Sequence, residues 1–243
     1  MFLNATKVGP ALAAGNTVVI KASEEAPAPL LEFAKLVDEV GFPPGVVNLI
    51  PGFGEPCGRA LTSHPLVNRV AFTGGVETAR LVVENTARNF AHLSLELGGK
   101  SPILIFDDAD LEGAVNGAVA GNFGASGQSC VAGSRVLVQA GIYDDFLQTL
   151  LGRTEAIRIG DPLQEETQMG PLATEAQRDR IEAVVAESVA QGATLHTGGK
   201  RPEDFNEGWY FEPPVLGLSL IHISEPTRRY AISDAVFCLK NKW

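Results

Sequence analysis

One cysteine stands at the centre of a run of small residues, and its surroundings suggest a reactive thiol. The run Phe123–Arg135 contains three glycines and three serines, and Cys130 follows directly after Gly127, Gln128 and Ser129. Small residues add little packing surface and let backbone N–H groups come close to a ligand. A thiolate in such a place can act as a nucleophile. For Cys130 considered alone, the alternative is a buried thiol that only fills space.

A single carboxylate lies upstream of this thiol in an otherwise apolar stretch. Glu96 stands between Leu95 and Leu97 and is followed by Gly98 and Gly99. Burial disfavours the charged form of a carboxylic acid and raises its pKa toward the working pH, as a general base requires. The stretch therefore predicts a buried strand that presents a general base.

The two segments together resemble the signatures of the aldehyde dehydrogenase superfamily. That family carries a Glu-Leu-Gly-Gly-Lys run and, about thirty residues later, a Gly-Gln-x-Cys run, and both stand intact here at Glu96 and Cys130. The resemblance extends from about Lys7 to about Gly217. It implies that Cys130 attacks an aldehyde substrate, that the hydride passes to NAD(P), and that Glu96 activates the water that releases the acid. It also implies a homo-dimer or homo-tetramer, and Glu96 disfavours an acylating, CoA-dependent relative.

Two polar residues beyond the first strand match the family's adenosine-ribose pair. These are Lys21 and Glu24, which without the resemblance are more often a solvated surface pair. A carboxylate near the ribose 2′ position repels an added phosphate, so Glu24 favours NAD as the cofactor, with NADP possible.

Glycine turns supply the remaining cofactor residues that the resemblance implies. Thr73-Gly74-Gly75 resembles the family's phosphate turn, with Gly75 where a serine is usual; the backbone N–H groups and the helix N-terminus can still bind pyrophosphate. Gly54 and Leu97 are the other implied cofactor contacts. The turn around Gly54 misses the G-x-G-x-x-G fingerprint by one residue and by itself indicates an ordinary strand-to-helix turn.

Strands, glycine turns and helices alternate along the chain, which predicts an α/β fold. We expect a partial Rossmann-like, parallel-sheet cofactor domain at 1–97 and a partial α/β catalytic domain at 98–218. The predicted strands are 17–21, 46–50, 69–73, 101–106, 134–139 and 193–196, and the predicted helices are 27–40, 57–61, 75–89, 111–123, 142–157 and 174–191.

Composition excludes several classes of partner. The 243 residues are 45% hydrophobic and 20% charged, and the net charge of −10 disfavours nucleic acid and anionic membranes. No apolar run reaches spanning length, and three separated cysteines suggest reduced thiols in the cytoplasm. Four histidines without ligand spacing predict no metal site. Asp107, Asp108 and Asp110 resemble a metal cluster but are better explained by helix capping.

The pattern changes at 219–243. This tail has four Lys or Arg against two Asp or Glu, which leaves −10 − (+2) = −12 for the rest of the chain. It resembles a translated sequencing adapter, so we expect a foreign segment that need not fold on the domain and in which His222, Arg228 and Cys238 carry no function.

The resemblance also implies parts that this sequence does not show. The family's oxyanion asparagine and its Glu-x-Phe-Gly-Pro segment are absent, so we expect impaired turnover in this chain. An inert cofactor-binding fragment and a residual thiol esterase remain the alternatives. The particular aldehyde stays open.

Overall fold

The computed structural model describes residues 2–219 and 234–238. The chain forms two compact units, Met1–Leu97 and Gly98–Trp243. Within the described part, none of the helices is long and apolar enough to cross a membrane.

The first unit consists of two strand–helix–strand repeats. Its strands are β1 (Val18–Lys21), β2 (Val47–Ile50), β3 (Arg69–Gly74) and β4 (His92–Leu97), and its helices are α1 (Phe2–Ala13), α2 (Ala28–Glu39), α3 (Arg59–Thr62) and α4 (Val76–Thr86). Strands β1 and β2 run parallel to each other, and so do strands β3 and β4. A helix crosses between the strands of each pair, as parallel pairing requires.

The predicted α/β class is confirmed, but the single parallel sheet that we expected is divided into two ladders of two strands each among the described residues. Each strand pairs with the next strand along the chain, so the two repeats remain separate. The core of this unit contains Val8, Ile20, Ala22 and Leu30, which places α1 and α2 against β1.

The second unit contains a mixed sheet. Its strands are β5 (Pro102–Ile105), β6 (Arg135–Val138), β7 (Thr194–Thr197), β8 (Val215–Ser219) and β9 (Asp234–Cys238), and its longer helices are α5 (Leu111–Phe123), α6 (Tyr143–Glu155) and α7 (Glu175–Ala190). The strand order is β5-β6-β9-β8-β7, with β5 and β6 parallel and the remaining pairs antiparallel. Val115, Val136, Phe146 and Leu150 are fully buried, so α5 and α6 share a core with β6.

The expected cap of α5 is confirmed. Asp110 is its N-cap residue and accepts a hydrogen bond from the Gly113 N–H at 2.9 Å. Asp107 instead accepts from the Gln139 amide at 2.9 Å. In the part of the chain that the structure describes, no three His, Cys, Asp or Glu side chains form a metal-binding group.

The tail departs from expectation at one place. Residues 234–238 form β9, which pairs with both β6 and β8, so this part of the tail does fold on the domain. Antiparallel pairing uses main-chain groups, and an open strand edge therefore accepts partners of many sequences. Cys238 ends β9, while His222 and Arg228 lie outside the described residues.

Candidate active site

The loop that carries Cys130 connects α5 to β6, and we call residues 123–134 the cysteine loop. The loop begins with a 3₁₀ turn in which Ala125, Ser126 and Gly127 all have left-handed backbones, with φ of 52°, 52° and 73°. Cys130 follows this turn, is a free thiol and is partly buried. The role of this thiol as a nucleophile stays a prediction.

Two glycines near Cys130 have close neighbours within the protein. A Cβ atom on Gly133 would lie 2.2 Å from the Cγ1 atom of Ile103, and one on Gly99 would lie 3.4 Å from the Cys130 carbonyl oxygen. A side chain at Gly133 would therefore require the Ile103 side chain to move. Among residues 2–219 and 234–238, the backbone N–H of Cys130 is in no backbone hydrogen bond, which leaves it able to donate to an oxyanion.

Glu96 lies near the end of β4, opposite Thr73 of β3. The sequence predicted that this carboxylate is buried, and that prediction is wrong, because Glu96 is exposed. Its neighbour Leu95 is 37% exposed as well. In the described part of the chain β4 pairs with β3 alone, so a two-stranded ladder offers these side chains little surrounding surface.

Glu96 belongs to the first unit and Cys130 to the second. The expectation that the two side chains face one cavity stays a prediction.

Lys7 is a charged residue at this strand end that the sequence reasoning missed. Its Nζ donates a hydrogen bond to the Oγ1 of Thr73. Burial lowers the pKa of Lys7, and attraction to Glu96 offsets part of that shift. Lys7, Thr73 and Glu96 therefore meet at the carboxyl ends of β3 and β4, where ligands of open α/β sheets bind. The signal was present in the sequence, because Lys7 is the single charged residue of α1.

Lys21 and Glu24 form an ion pair at the end of β1. The Lys21 Nζ lies 3.0 Å from Glu24 Oε2 and also donates to the Ala22 carbonyl at 2.9 Å. A hydrogen bond from its own backbone and one from Lys21 lower the pKa of Glu24. The Lys21 side chain is 18% exposed and that of Glu24 is 38% exposed, so the pair is covered on the lysine side and open to solvent on the glutamate side. A Cβ on Gly58 would lie 3.7 Å from Lys21 Cδ, so the pair borders the turn at Gly54–Gly58.

The remaining predicted residues lie at turns and strand ends. Gly74 ends β3. Gly75 is the N-cap residue of α4 and, as a glycine, has no side chain that could cap the helix. The first N–H groups of α4 are therefore not capped by Gly75 and can bind an anion. Gly54 is exposed, with open space where a Cβ would be, and Leu97 ends β4 and is half-buried. Their contact with a cofactor stays a prediction.

Comparisons with known proteins agree with the motifs. Residues 1–219 match the aldehyde dehydrogenase family, so the match ends where the tail begins. The chain is 57% identical over 219 residues to (Z)-2-((N-methylformamido)methylene)-5-hydroxybutyrolactone dehydrogenase of Acinetobacter baylyi, covering 90% of this chain and 44% of that protein. It is 47% identical to a betaine aldehyde dehydrogenase of Rhizobium leguminosarum, covering 86% of this chain and 43% of that protein.

Solved structures give the same result. Betaine aldehyde dehydrogenase from Staphylococcus aureus in complex with NAD+ superimposes with a TM-score of 0.84 at 44% identity, over 86% of this chain and 42% of that one. PnpE from Pseudomonas sp. WBC-3 superimposes with a TM-score of 0.86 at 45% identity, over 88% of this chain and 44% of that one. The chain thus spans less than half the length of the curated relatives that it matches. On the extent of these matches, the chain belongs to the aldehyde dehydrogenase family.

Proposed function

We propose that the whole protein oxidises an aldehyde to a carboxylic acid with NAD+ as the hydride acceptor. The observation that carries this proposal is the cysteine loop, in which a partly buried Cys130 follows three left-handed residues and keeps its own N–H available. Similar proteins named as betaine aldehyde dehydrogenases support the aldehyde as substrate. The NAD+ complex of the Staphylococcus aureus relative supports the cofactor.

In the proposed reaction, the Cys130 thiolate forms a bond to the aldehyde carbon, and the developing oxyanion accepts a hydrogen bond from the Cys130 N–H. One such donor typically contributes about 3 kcal/mol to transition-state stabilisation. NAD+, when bound, would supply the hydride acceptor: the former aldehyde carbon would lose its hydride as the oxyanion re-forms the C=O bond, which leaves Cys130 as a thioester. Glu96 then takes a proton from water while the resulting hydroxide attacks the thioester carbon, and the C–S bond breaks to release the acid and the thiolate.

The first unit offers groups that fit the cofactor. The uncapped N-terminus of α4 suits a pyrophosphate, and the Lys21–Glu24 pair suits ribose hydroxyls, since one partner donates hydrogen bonds and the other accepts them. The anionic Glu24 favours NAD over NADP. Lys7, bonded to Thr73, places a positive charge that attracts the proposed base at this strand end.

Two variants of the whole protein test the two catalytic roles. Cys130→Ser should abolish NADH formation with simple aldehydes. Glu96→Gln should still form about one NADH per site in a first turnover, while steady-state turnover falls by about 10²- to 10⁴-fold, the usual contribution of a general base. Steady turnover in the Cys130→Ser variant would contradict the nucleophile assignment, and unchanged turnover in Glu96→Gln would contradict the base.

The chain itself is a candidate thiol esterase, because the cysteine loop and its contacts lie within the second unit. If the chain releases nitrophenol from nitrophenyl acetate without NAD+, and Cys130→Ser does not, the result would support this esterase activity. No release would favour a catalytically inert, cofactor-binding chain. A homo-oligomeric, cytoplasmic whole protein completes the proposal, in keeping with the free thiols of Cys57 and Cys130.

A further inference from the structure

One buried side chain joins the two ends of the cysteine loop. Asn122 lies next to the end of α5 and is 1% exposed. Its Nδ2 donates to the Ala118 carbonyl at 2.8 Å and to the Gly133 carbonyl at 3.1 Å, across eleven residues of chain. The contact therefore closes the loop, with Cys130 inside it.

The orientation of this amide follows from its neighbours. Both partners are carbonyl oxygens, so the amide must direct its N–H₂ group toward them, and a flipped amide would place three acceptors together. In the described structure, the Asn122 Oδ1 is buried without a hydrogen-bond partner. An unpaired buried oxygen destabilises a fold, and leucine would fill a similar volume without that penalty. The hydrogen bond to Gly133 gives a reason for an amide here.

The loop that Asn122 closes is strained. Ala125 and Ser126 are left-handed residues with a Cβ, and such conformations persist only where surrounding contacts fix them. Further contacts hold this turn. Ser126 Oγ donates to the Gly170 carbonyl at 3.2 Å, and the Gln128 backbone N–H and side-chain amide donate to the Ala125 carbonyl at 3.1 and 3.3 Å. Without the Asn122 contact, the far end of the loop at Gly133 loses a buried partner and the strained end can relax.

We infer that Asn122 is a positioning residue that holds Cys130 in its reactive place by bonding Gly133 to α5. The inference rests on the proposed role of Cys130 as nucleophile. Asn122 touches neither substrate nor cofactor in this role; it acts through the backbone that presents the thiol.

The test uses the full 243-residue chain with the variant Asn122→Leu. Hydrogen exchange is measured by mass spectrometry on peptides from the cysteine loop and from α6, and alkylation of Cys130 by iodoacetamide is measured relative to Cys57. Exchange in the loop should accelerate by roughly 5- to 150-fold, as expected when a buried carbonyl loses its partner. The alkylation ratio of Cys130 to Cys57 should rise at least about fivefold, because an open loop exposes the thiol. Acylation of Cys130 by nitrophenyl acetate should fall, because the thiol and its N–H no longer act together.

The matched control is Thr154→Val in α6, which also alters a buried side chain with an unpaired oxygen. It should leave the loop exchange and the alkylation ratio within about twofold of the unchanged chain, since separate sites act additively. Opposite changes in alkylation and acylation are the result that packing alone would not produce. An unchanged ratio and unchanged loop exchange in Asn122→Leu would overturn the inference.

A milder variant covers the case in which Asn122→Leu does not fold. Ser126→Ala removes the half-buried hydroxyl bond to Gly170 and should move both readouts in the same direction by a smaller factor. If neither readout moves, the loop is not held by these contacts and the inference fails. If the unchanged chain is not acylated by the ester, the proposed nucleophile is in doubt, while exchange and alkylation still decide the role of Asn122.

Discussion

Replacing Glu24 by glutamine should shift cofactor preference toward NADP. Glu24 is a charged acceptor at the end of β1, held 3.0 Å from the Lys21 ammonium. In the proposed site this carboxylate faces the ribose, where an added 2′-phosphate would bring negative charge next to it. Glutamine keeps the size of the side chain and one carbonyl acceptor but removes the repulsion.

The size of the effect follows from distance and exposure. Two unit charges 4 Å apart interact by about 1 kcal/mol in water and about 4 kcal/mol near a protein surface. The Glu24 side chain is 38% exposed and already paired with Lys21, so solvent and the ammonium both screen it. About 1–2 kcal/mol is therefore the expected change, which corresponds to roughly a 5- to 30-fold shift in the ratio of the NADP and NAD dissociation constants.

The assay is calorimetric titration of each cofactor into the whole protein and its variants. The matched control is Glu32→Gln, because Glu32 and Lys35 form an ion pair of the same spacing at 2.7 Å, 65–68% exposed on α2. That control should leave the NADP-to-NAD ratio unchanged. A ratio that stays within about twofold in Glu24→Gln, or that moves equally in both variants, would show that Glu24 does not face the ribose.

Three further results are expected. Glu96→Gln in this chain should lower the pKa of Lys7, since attraction to Glu96 raises it. Acetylation of Lys7 at fixed pH, followed by peptide mass spectrometry, should become faster, and unchanged reactivity would argue against this attraction. Burial lowers the pKa of His196 below its ordinary value of 6.5, so the unfolded chain binds a proton on this imidazole more readily than the folded chain does. The free energy of unfolding should therefore fall as the pH drops below about 6.5. In urea unfolding, this dependence on pH should be weaker in His196→Gln and unchanged in a variant of the exposed His92. Phe146→Ala, at a fully buried position, should destabilise the chain by about 3–5 kcal/mol in the same assay, and a loss under 1 kcal/mol would contradict its place in the core.

Local signals explain the elements that the sequence could predict. The acidic residue at Asp110 and the apolar helix that follows it predicted α5 at 111–123, where the structure has it. The turn after Phe53 was less well predicted, because a π-helical turn at Gly54–Gly58 precedes a short α3, where one helix from Cys57 was expected. Pairing of β9 was missed because it depends on the free edges of other strands, which no local pattern in the tail reports.

The misjudged burial of Glu96 has the same physical origin. Apolar neighbours in a strand indicate burial only where another layer covers the face and other strands cover the edges. In the described structure β4 pairs with β3 alone, and the carboxylate is exposed between two leucines. The positive charge that attracts it is on Lys7, in a helix at the other end of the first unit's sequence. Lys7 bonds to Thr73, and Thr73 lies opposite Glu96 in the register of β3 and β4. The residue type could be predicted from the motif, but the environment that determines whether a carboxylate serves as a base is assembled by contacts distant in sequence.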